Sequence, residues 1–599
     1  MPQVPVIFEE SKIVERTVIV TTLEVIAAIL DLFDRIRGEG LNSPINRIVR
    51  FVGIGINRRI RNTSAQCTQR HADAVEDIAP HHQEQTIHHQ GACVVSSASA
   101  QMNSARGGAA DADAERPTLG GLHGGCRSGV HEPPSGERSI VPAMASPASE
   151  AIFELRRHLN QSFFKVAPEA PPWRGRGAVG IVVAGLFLVA MALQLFRIGP
   201  GIALNSIWAE DGPIFLQGAI QHSFWSDLWA TYAGYLVVVP RLIGLFAHLF
   251  PLRDAPAAIS ILSVFVVALS GLVVWFASAA HIRNPYLRGT LVALAVLTPT
   301  AALESVASGT YVSWFMLLPV FWLLIWRPRT TRGAILGGLF ILMTSLSSPG
   351  MWFFAPLAAL RAIAIRDRRD GILFGSWALG SVIQVFAYLL QSEKQVAPLW
   401  SHEIWTAYLQ RVLAGAALGE HLGGRAWAVL GWPLLIALTA LAMAGLYLGL
   451  RRANAAARWL ALLAVPTSIV MFIVSVYQRA VGPQMVWPAG SHLGAGGRYT
   501  IVPALLLVSL ALVLVDDIAR RQRSLGPWLV GAVEVVLIAG MVFSFDVRDS
   551  VIRGTPSWSR SLDAADAKCR AESAAEVSLA ISPPSFLSVT VPCDEVEPG

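Results

Sequence analysis

The run Trp208-Ala209-Glu210-Asp211-Gly212-Pro213-Ile214-Phe215 holds the residues whose types and spacing point most directly to chemistry. Two adjacent carboxylates close to a long apolar stretch are costly unless solvated, paired or used. Such a pair can ligate a hard divalent cation, Mg or Mn, or accept a proton from an attacking hydroxyl. Gly212-Pro213 predicts a turn that sets their direction. The competing interpretation is a solvated acidic loop followed by a turn, and spacing alone does not separate the two. Glu210 and Asp211 are therefore candidate catalytic residues and candidate metal ligands.

The elements that must position them are membrane helices. Only 15% of the 599 residues are charged, against about 25% in soluble domains. The formal charge of +6 does not describe a nucleic-acid surface, because the arginines sit in short links between apolar runs, where charge orients helices in a bilayer. Crossing about 30 Å of hydrocarbon takes roughly 20 apolar residues, and at that depth only a helix satisfies its own backbone. The predicted fold class is an all-α polytopic membrane protein with about 11 transmembrane helices, filling residues 177–545. The expected spans are 177–197, 256–280, 289–305, 311–326, 333–348, 351–365, 371–390, 427–449, 459–476, 500–515 and 527–545.

Arginine orders these spans. Arg156, Arg157, Lys165, Arg174 and Arg176 precede the first. The later clusters are Arg283/Arg288, Arg327/Arg329/Arg332, Arg366/Arg368/Arg369, Arg451/Arg452/Arg458 and Arg520/Arg521/Arg523. With the spans above, every cluster falls on the side of the N-terminus, which is then cytoplasmic, and the C-terminus lies outside. The stretch 235–250 tempts a twelfth span, but Pro240 and Arg241 interrupt it, and an Arg at the bilayer centre costs about 2.5–3.5 kcal/mol. It is expected as a helix near the outer interface, with a true span carrying a functional Arg as the alternative. The outer stretches are 198–255, 304–310, 391–426 and 477–499, with the tail 546–599. Cys569 and Cys593 then share an oxidising compartment and can pair, closing a loop worth roughly 3 kcal/mol in the chain-entropy account. Pro583-Pro584 and Pro592 predict a small β- and turn-rich appendage there.

Residues 1–147 are a different kind of sequence. The run 18–36 is interrupted by Glu24, Asp31, Asp34 and Arg35, so a packed or surface helix is expected, not a span. Beyond it, Gly, Ser, Ala, Gln and His follow in no order, with pairs at His81-His82 and His88-His89. Such composition cannot bury enough apolar area to order itself; a metal site is the competing use of the histidines. Cys67, Cys93 and Cys126 lie here in no zinc-ligand spacing. The abrupt change near Met144 suggests that residues 1–143 stem from a misassigned start codon.

An acidic pair soon after the first span, in a long outer loop ahead of a many-helix bundle, resembles the GT-C superfamily of membrane glycosyltransferases. WAEDGPIF, Tyr232-Ala233-Gly234-Tyr235 and Pro240-Arg241-Leu242 also look like bacterial relatives of that group. The likeness covers roughly residues 177–545 in architecture and only these short motifs in residues. It implies transfer of a sugar from a polyprenyl-phosphate carrier to an envelope acceptor on the outer face of the bacterial plasma membrane, with Glu210 or Asp211 as the catalytic carboxylate. A lipid-phosphate leaving group demands cationic donors at that surface. Arg241, Arg411, Arg425, Arg479, His492 and Arg498 are the candidates, with Arg241 and Arg498 preferred because both adjoin predicted membrane helices. His492 and Arg498 sit in the glycine-rich stretch 491–499, whose backbone N–H groups could hold a phosphate, although a flexible loop is the commoner explanation of such a stretch. Glu304 with Ser308-Gly309-Thr310-Tyr311, and His402-Glu403 between Trp400 and Trp405, mark two further outer sites, their tryptophans most simply interface anchors.

Two other functions fit the composition. A transporter or lipid flippase would place ionisable groups inside its spans, where Glu534 is the plainest acid, and no repeated half with broken helices is visible. A non-catalytic subunit of an envelope-assembly complex would tolerate replacement of Glu210 and Asp211.

Overall fold

A computed structural model describes residues 147–167, 176–301, 303–390, 400–479, 481–487, 496–547, 557–572, 575–582 and 587–596. The expectations for residues 1–146, the histidine pairs among them, and for His492 lie outside the described residues. The rest is an all-α membrane architecture. Among the described residues, seven helices are long and apolar enough to cross a bilayer, covering Gly180–Ile198, Leu252–Ala280, Arg368–Leu390, Trp432–Arg452, Ala455–Gln478, Arg498–Arg521 and Gly526–Phe543.

The bundle proper comprises α1 (Pro147–Ser162), α2 (Arg176–Ile198), α3 (Val238–Ala247), α4 (Ala255–Ala277), α5 (Pro285–Val296), α6 (Val312–Ile325) and α7 (Thr331–Ser345). It continues with α8 (Ala355–Ile363), α9 (Arg368–Leu390), α10 (Gly415–Leu430), α11 (Trp432–Arg452), α12 (Ala455–Gln478), α13 (Arg498–Arg521) and α14 (Gly526–Phe543). Local signals set many of the starts. Asn284, Thr330 and Asn454 each accept a backbone N–H as N-caps of α5, α7 and α12, and proline occupies the first turn of α4, α5, α8, α11 and α14, where its missing N–H has no helical partner to lose.

Four expected spans are shorter or broken. Three correspond to α5, α6 and α7, of 12, 14 and 15 residues. The stretch 351–365 divides into a 3-10 turn at Pro349–Phe354 and the nine-residue α8. Gly431, at φ 58, separates α10 from α11. Of the short helices, α6 survives because neighbours cover it, almost every residue being buried; the long α13 is equally central, with 83% of its window inside the protein. A helix apolar on all sides belongs in a core. The outer helices are the reverse, with Ile181, Leu186, Leu441 and Trp528 each more than 60% exposed. Contiguous exposed apolar surface of this kind calls for lipid as its solvent. The stretch at 235–250 contains α3, whose ten residues span about 15 Å at 1.5 Å per residue, half the hydrocarbon thickness.

The two ends of the bundle differ. At one, the segment 147–167 ties the arginine-bearing links together. Arg156 donates to Ile365 O at 2.6 Å, Arg329 to Ala167 O at 3.1 Å, and Arg327 to Ala364 O at 2.9 Å and to Asn160. Phe163 packs on His281 and Trp459. Asp516 and Asp517, closing α13, accept from the backbones of Arg283, Asn284 and Asn454. At the other end Arg197, fully buried, donates to Thr298 O, Ser544 O and Phe545 O, so α2, α5 and α14 finish at one level.

The C-terminal appendage is not purely β: α15 (Trp558–Glu572) precedes the antiparallel hairpin β3 (Glu576–Ala580) and β4 (Ser588–Pro592). A disulfide joins Cys569 at the end of α15 to Cys593 after β4.

Candidate functional site

The acidic segment is built as a tight corner. Ala209 takes φ 44, a conformation disfavoured for L-residues, followed by a 3-10 turn at Ala209–Asp211 and a π turn at Gly212–Leu216. Gly212 is required sterically, because a Cβ there would stand 2.4 Å from Val589 Cγ2 on β4. A helical step rotates successive side chains by about 100–120°, so the two neighbouring carboxylates point apart and meet different partners.

Asp211 turns inward and is 2% exposed. Its Oδ1 accepts Thr310 N at 2.7 Å and Thr310 Oγ1 at 2.6 Å, and its Oδ2 accepts Gly309 N at 3.1 Å. The aspartate thus clamps the loop before α6 onto the loop after α2. Burial raises its pKa to about 6, against the opposing pull of the Thr310 hydrogen bonds.

Glu210 points toward a cluster of tyrosines. Oε1 accepts the Tyr232 hydroxyl at 3.0 Å and Oε2 the Tyr311 hydroxyl at 2.9 Å. Tyr232 arrives on a two-residue hairpin, β1 (Thr231–Tyr232) against β2 (Tyr235–Leu236), whose turn residues Ala233 and Gly234 both have positive φ. That is the geometry of a tight right-twisted hairpin turn. Gln384 of α9 holds the hairpin, donating to and accepting from Leu236 at 2.9 Å each. Burial and the Glu210 charge raise the pKa of the Tyr232 phenol, and burial raises that of Tyr311, so both remain hydroxyl donors.

Arg498 extends the cluster. It pairs with Glu304 at 2.8 Å and donates to Tyr499 Oη at 3.0 Å. Its guanidinium lies 4.7 Å from the Tyr311 ring centroid and 4.6 Å from that of Tyr499. Tyr311 therefore touches Glu210 through its hydroxyl and Arg498 through its face. Arg479 acts electrostatically on Tyr232 and Tyr235, which brings a second cation toward the same group.

Arg241 does something else. It is 6% exposed and bound to Asp227, itself 1% exposed, at 2.6 Å. It also donates to Ile214 O at 2.6 Å and packs over Phe215. It supports the acidic segment from behind, beside a cleft of about 280 Å³ lined by Pro213, His222, Asp227 and Tyr232. Arg411 is likewise buried, paired with Glu420 at 3.1 Å, while Trp487 Nε1 donates to the other Glu420 oxygen at 2.7 Å. His402 and Glu403 are 3.4 Å apart, with Trp400 and Trp405 about half exposed beside them.

Of the expected site residues, Glu210, Asp211 and Arg498 are thus brought into one network with Glu304, and Arg241 stands against the reverse face of the acidic segment. The donor set does not suit a divalent cation held jointly by Glu210 and Asp211. Asp211's oxygens face N–H and O–H hydrogens, where a cation needs lone pairs, and among the described residues no group of three His, Cys, Asp or Glu side chains converges. Tyr232 and Tyr311 lie in segments the sequence marked, but nothing in their spacing announced that both would reach Glu210. Asp227 carried no signal, being one acid in an unremarkable loop. No protein-family model matches the chain, and no curated protein or solved structure matches it either.

Proposed function

We propose that this chain is an integral membrane glycosyltransferase that moves a sugar from a polyprenyl-phosphate carrier to an envelope acceptor on the extracytoplasmic face. The arginine-rich end faces the cytoplasm in this reading, with about 11 helices crossing or entering the bilayer, and the acidic segment stands at the outer leaflet of the bacterial plasma membrane. The observation that carries it is the position of Glu210, held between two tyrosine hydroxyls and one side chain away from Arg498.

Glu210 is the reacting carboxylate. Each of its oxygens uses one lone pair on a tyrosine and keeps another for an incoming hydroxyl, and the two phenols fix its direction. The acceptor O–H gives its proton to Glu210 as the oxygen attacks the anomeric carbon. The bond from that carbon to the phosphate oxygen breaks, and the electron pair leaves on the lipid phosphate. Developing negative charge there is met by Arg498, whose guanidinium carries five donor hydrogens, more than Glu304 and Tyr499 take up. Arg479 is the second cation for this role. Asp211 positions the loop before α6, and Arg241 holds Asp227 and the acidic segment in place. No step is routed through a metal.

Glu210→Gln keeps the tyrosine contacts possible and removes the base. Transfer from a polyprenyl-phosphate sugar in reconstituted vesicles is expected to fall by at least about 100-fold, with thermal stability near that of the wild type. Near-normal transfer in this variant, or lipid-linked sugar flux across the vesicle without transfer, refutes the assignment.

A further inference from the structure

The C-terminal appendage does more than end the chain, because it is stitched onto the segment that carries Glu210. Ser582 N donates to Ile207 O at 3.0 Å and Ala209 N donates to Ser582 O at 2.6 Å. Those two bonds form a parallel bridge between Trp208 and Ser582. They bracket Trp208 and fix the amide of Ala209, the residue held at φ 44 immediately before Glu210. Ile581 and Val589 pack against Gly212 on the far side of the acidic pair. Thr590 N reaches Gln217 Oε1 at 3.0 Å, where the π turn passes into the next helix.

The appendage has its own anchorage away from the site. Trp558 N donates to Asn205 O at 2.8 Å, Ser559 and Asn205 exchange two hydrogen bonds, and Trp558 Nε1 donates to Leu252 O at 2.8 Å. The contacts at residues 581, 582, 589 and 590 belong to the hairpin and its end. A two-stranded hairpin is marginal alone; β3 follows α15 closely in the chain, Ser561 Oγ of α15 donates to Ala580 O at 3.3 Å, and the bond between Cys569 and Cys593 ties the far end of β4 back to the end of α15.

We propose that the disulfide-closed appendage is a positioning clamp for Glu210. It imposes the left-handed turn at Ala209, and that turn aims Glu210 at Tyr232 and Tyr311. With the disulfide open, α15 stays docked through Trp558 while the β4 end of the hairpin loses its covalent tie to α15, and residues 207–212 relax toward ordinary backbone. The catalytic geometry is then assembled only in an oxidising compartment, which confines activity to protein that has delivered its tail to the outer face. The consequence for catalysis rests on Glu210 being the reacting carboxylate. The clamp itself does not.

The test is hydrogen exchange on the full chain in lipid nanodiscs, before and after dithiothreitol, after reoxidation, and in C569S/C593S. Opening the disulfide is expected to speed exchange in peptides covering residues 205–216 by about tenfold or more, as the hydrogen bonds at Ile207 and Ala209 are lost. Exchange in α6 and α13 is expected to stay slow, and reoxidation to restore protection. Unchanged exchange at 205–216 overturns the clamp, and so does an equal loss in α6 and α13, which marks general unfolding. Reversible reduction of the native chain keeps the test valid even if the double variant does not fold. Transfer activity is expected to fall about tenfold or more alongside exchange, and full activity in reduced protein with a fast-exchanging 205–216 overturns the positioning role. Absence of transfer in oxidised wild-type protein refutes the glycosyltransferase reading instead, and leaves the clamp to be judged by exchange alone.

Discussion

Asp211→Asn tests whether Asp211 is a buried clamp and not a solvated loop acid. In the fold the carboxyl stands near pKa 6, against its ordinary value of 3.8, because burial outweighs the hydrogen bonds from Thr310. An acid raised in this way stabilises the fold most when protonated. Its contribution is complete below 3.8 and is lost as pH rises through about 6. The gap between those two values corresponds to about 3 kcal/mol in total, of which about 1.4 kcal/mol separates pH 8 from pH 5. Asparagine stays neutral at both pH values, so this component disappears. Its Oδ1 can still accept from Thr310, but its amide then faces Gly309 N, leaving a donor against a donor at about 1–3 kcal/mol. At pH 8 that loss and the relief of a buried charge nearly cancel, so a single measurement of stability is uninformative. The decisive quantity is the difference of differences: denaturant unfolding of both proteins in micelles at pH 5 and pH 8, followed by tryptophan fluorescence. The wild type is expected to gain about 1.4 kcal/mol more than D211N on acidification. Equal gains would show that Asp211 titrates as a solvated acid and refute the reasoning.

Arg241→Met strands Asp227 in a buried site and is expected to cost about 3–5 kcal/mol, read as a lost melting transition, with R241M/D227N recovering most of it. Full stability in R241M alone would contradict the support role. Arg498→Lys keeps the charge but not the stacking between Tyr311 and Tyr499. It is expected to lower kcat/KM for the lipid-phosphate donor about tenfold with little change in stability, whereas unchanged kinetics would remove Arg498 from the phosphate. For orientation, cysteine placed at exposed Ser223 is expected to react with an impermeant maleimide from outside intact cells, and cysteine at exposed Thr331 only after permeabilisation. The reverse pattern would place Glu210 in the cytoplasm.

Membrane residence was legible because it rests on composition: low charge, long apolar runs and arginine confined to links need no knowledge of packing. The same logic makes the arginine links one set, and the segment 147–167 touches several of them. Span lengths were less legible. Helices α5 and α7 are stopped near Thr298-Pro299 and Ser348-Pro349 although apolar sequence resumes beyond them, whereas α6 and α8 end just ahead of Arg327 and Arg366; for α6, burial in protein relieves the helix of the need to cross the bilayer unaided.

By itself the sequence determined the solvent of this protein, and it singled out WAEDG as a place where two charges needed a reason. Only the tertiary structure decided what each charge meets. Glu210 and Asp211 are neighbours in the chain and identical in kind, yet one turn of backbone sends Asp211 to the amides of Gly309 and Thr310 and Glu210 to two phenols. Arg241 and Arg498 are alike as cations near helices, and their partners, Asp227 and Glu304, separate them into a buried support and a half-open donor. Partners brought together from 14, 99 and 194 residues away leave no periodic trace in a sequence, because their pairing is set by how the helices pack and by the appendage that folds back onto the loop from the far end of the chain.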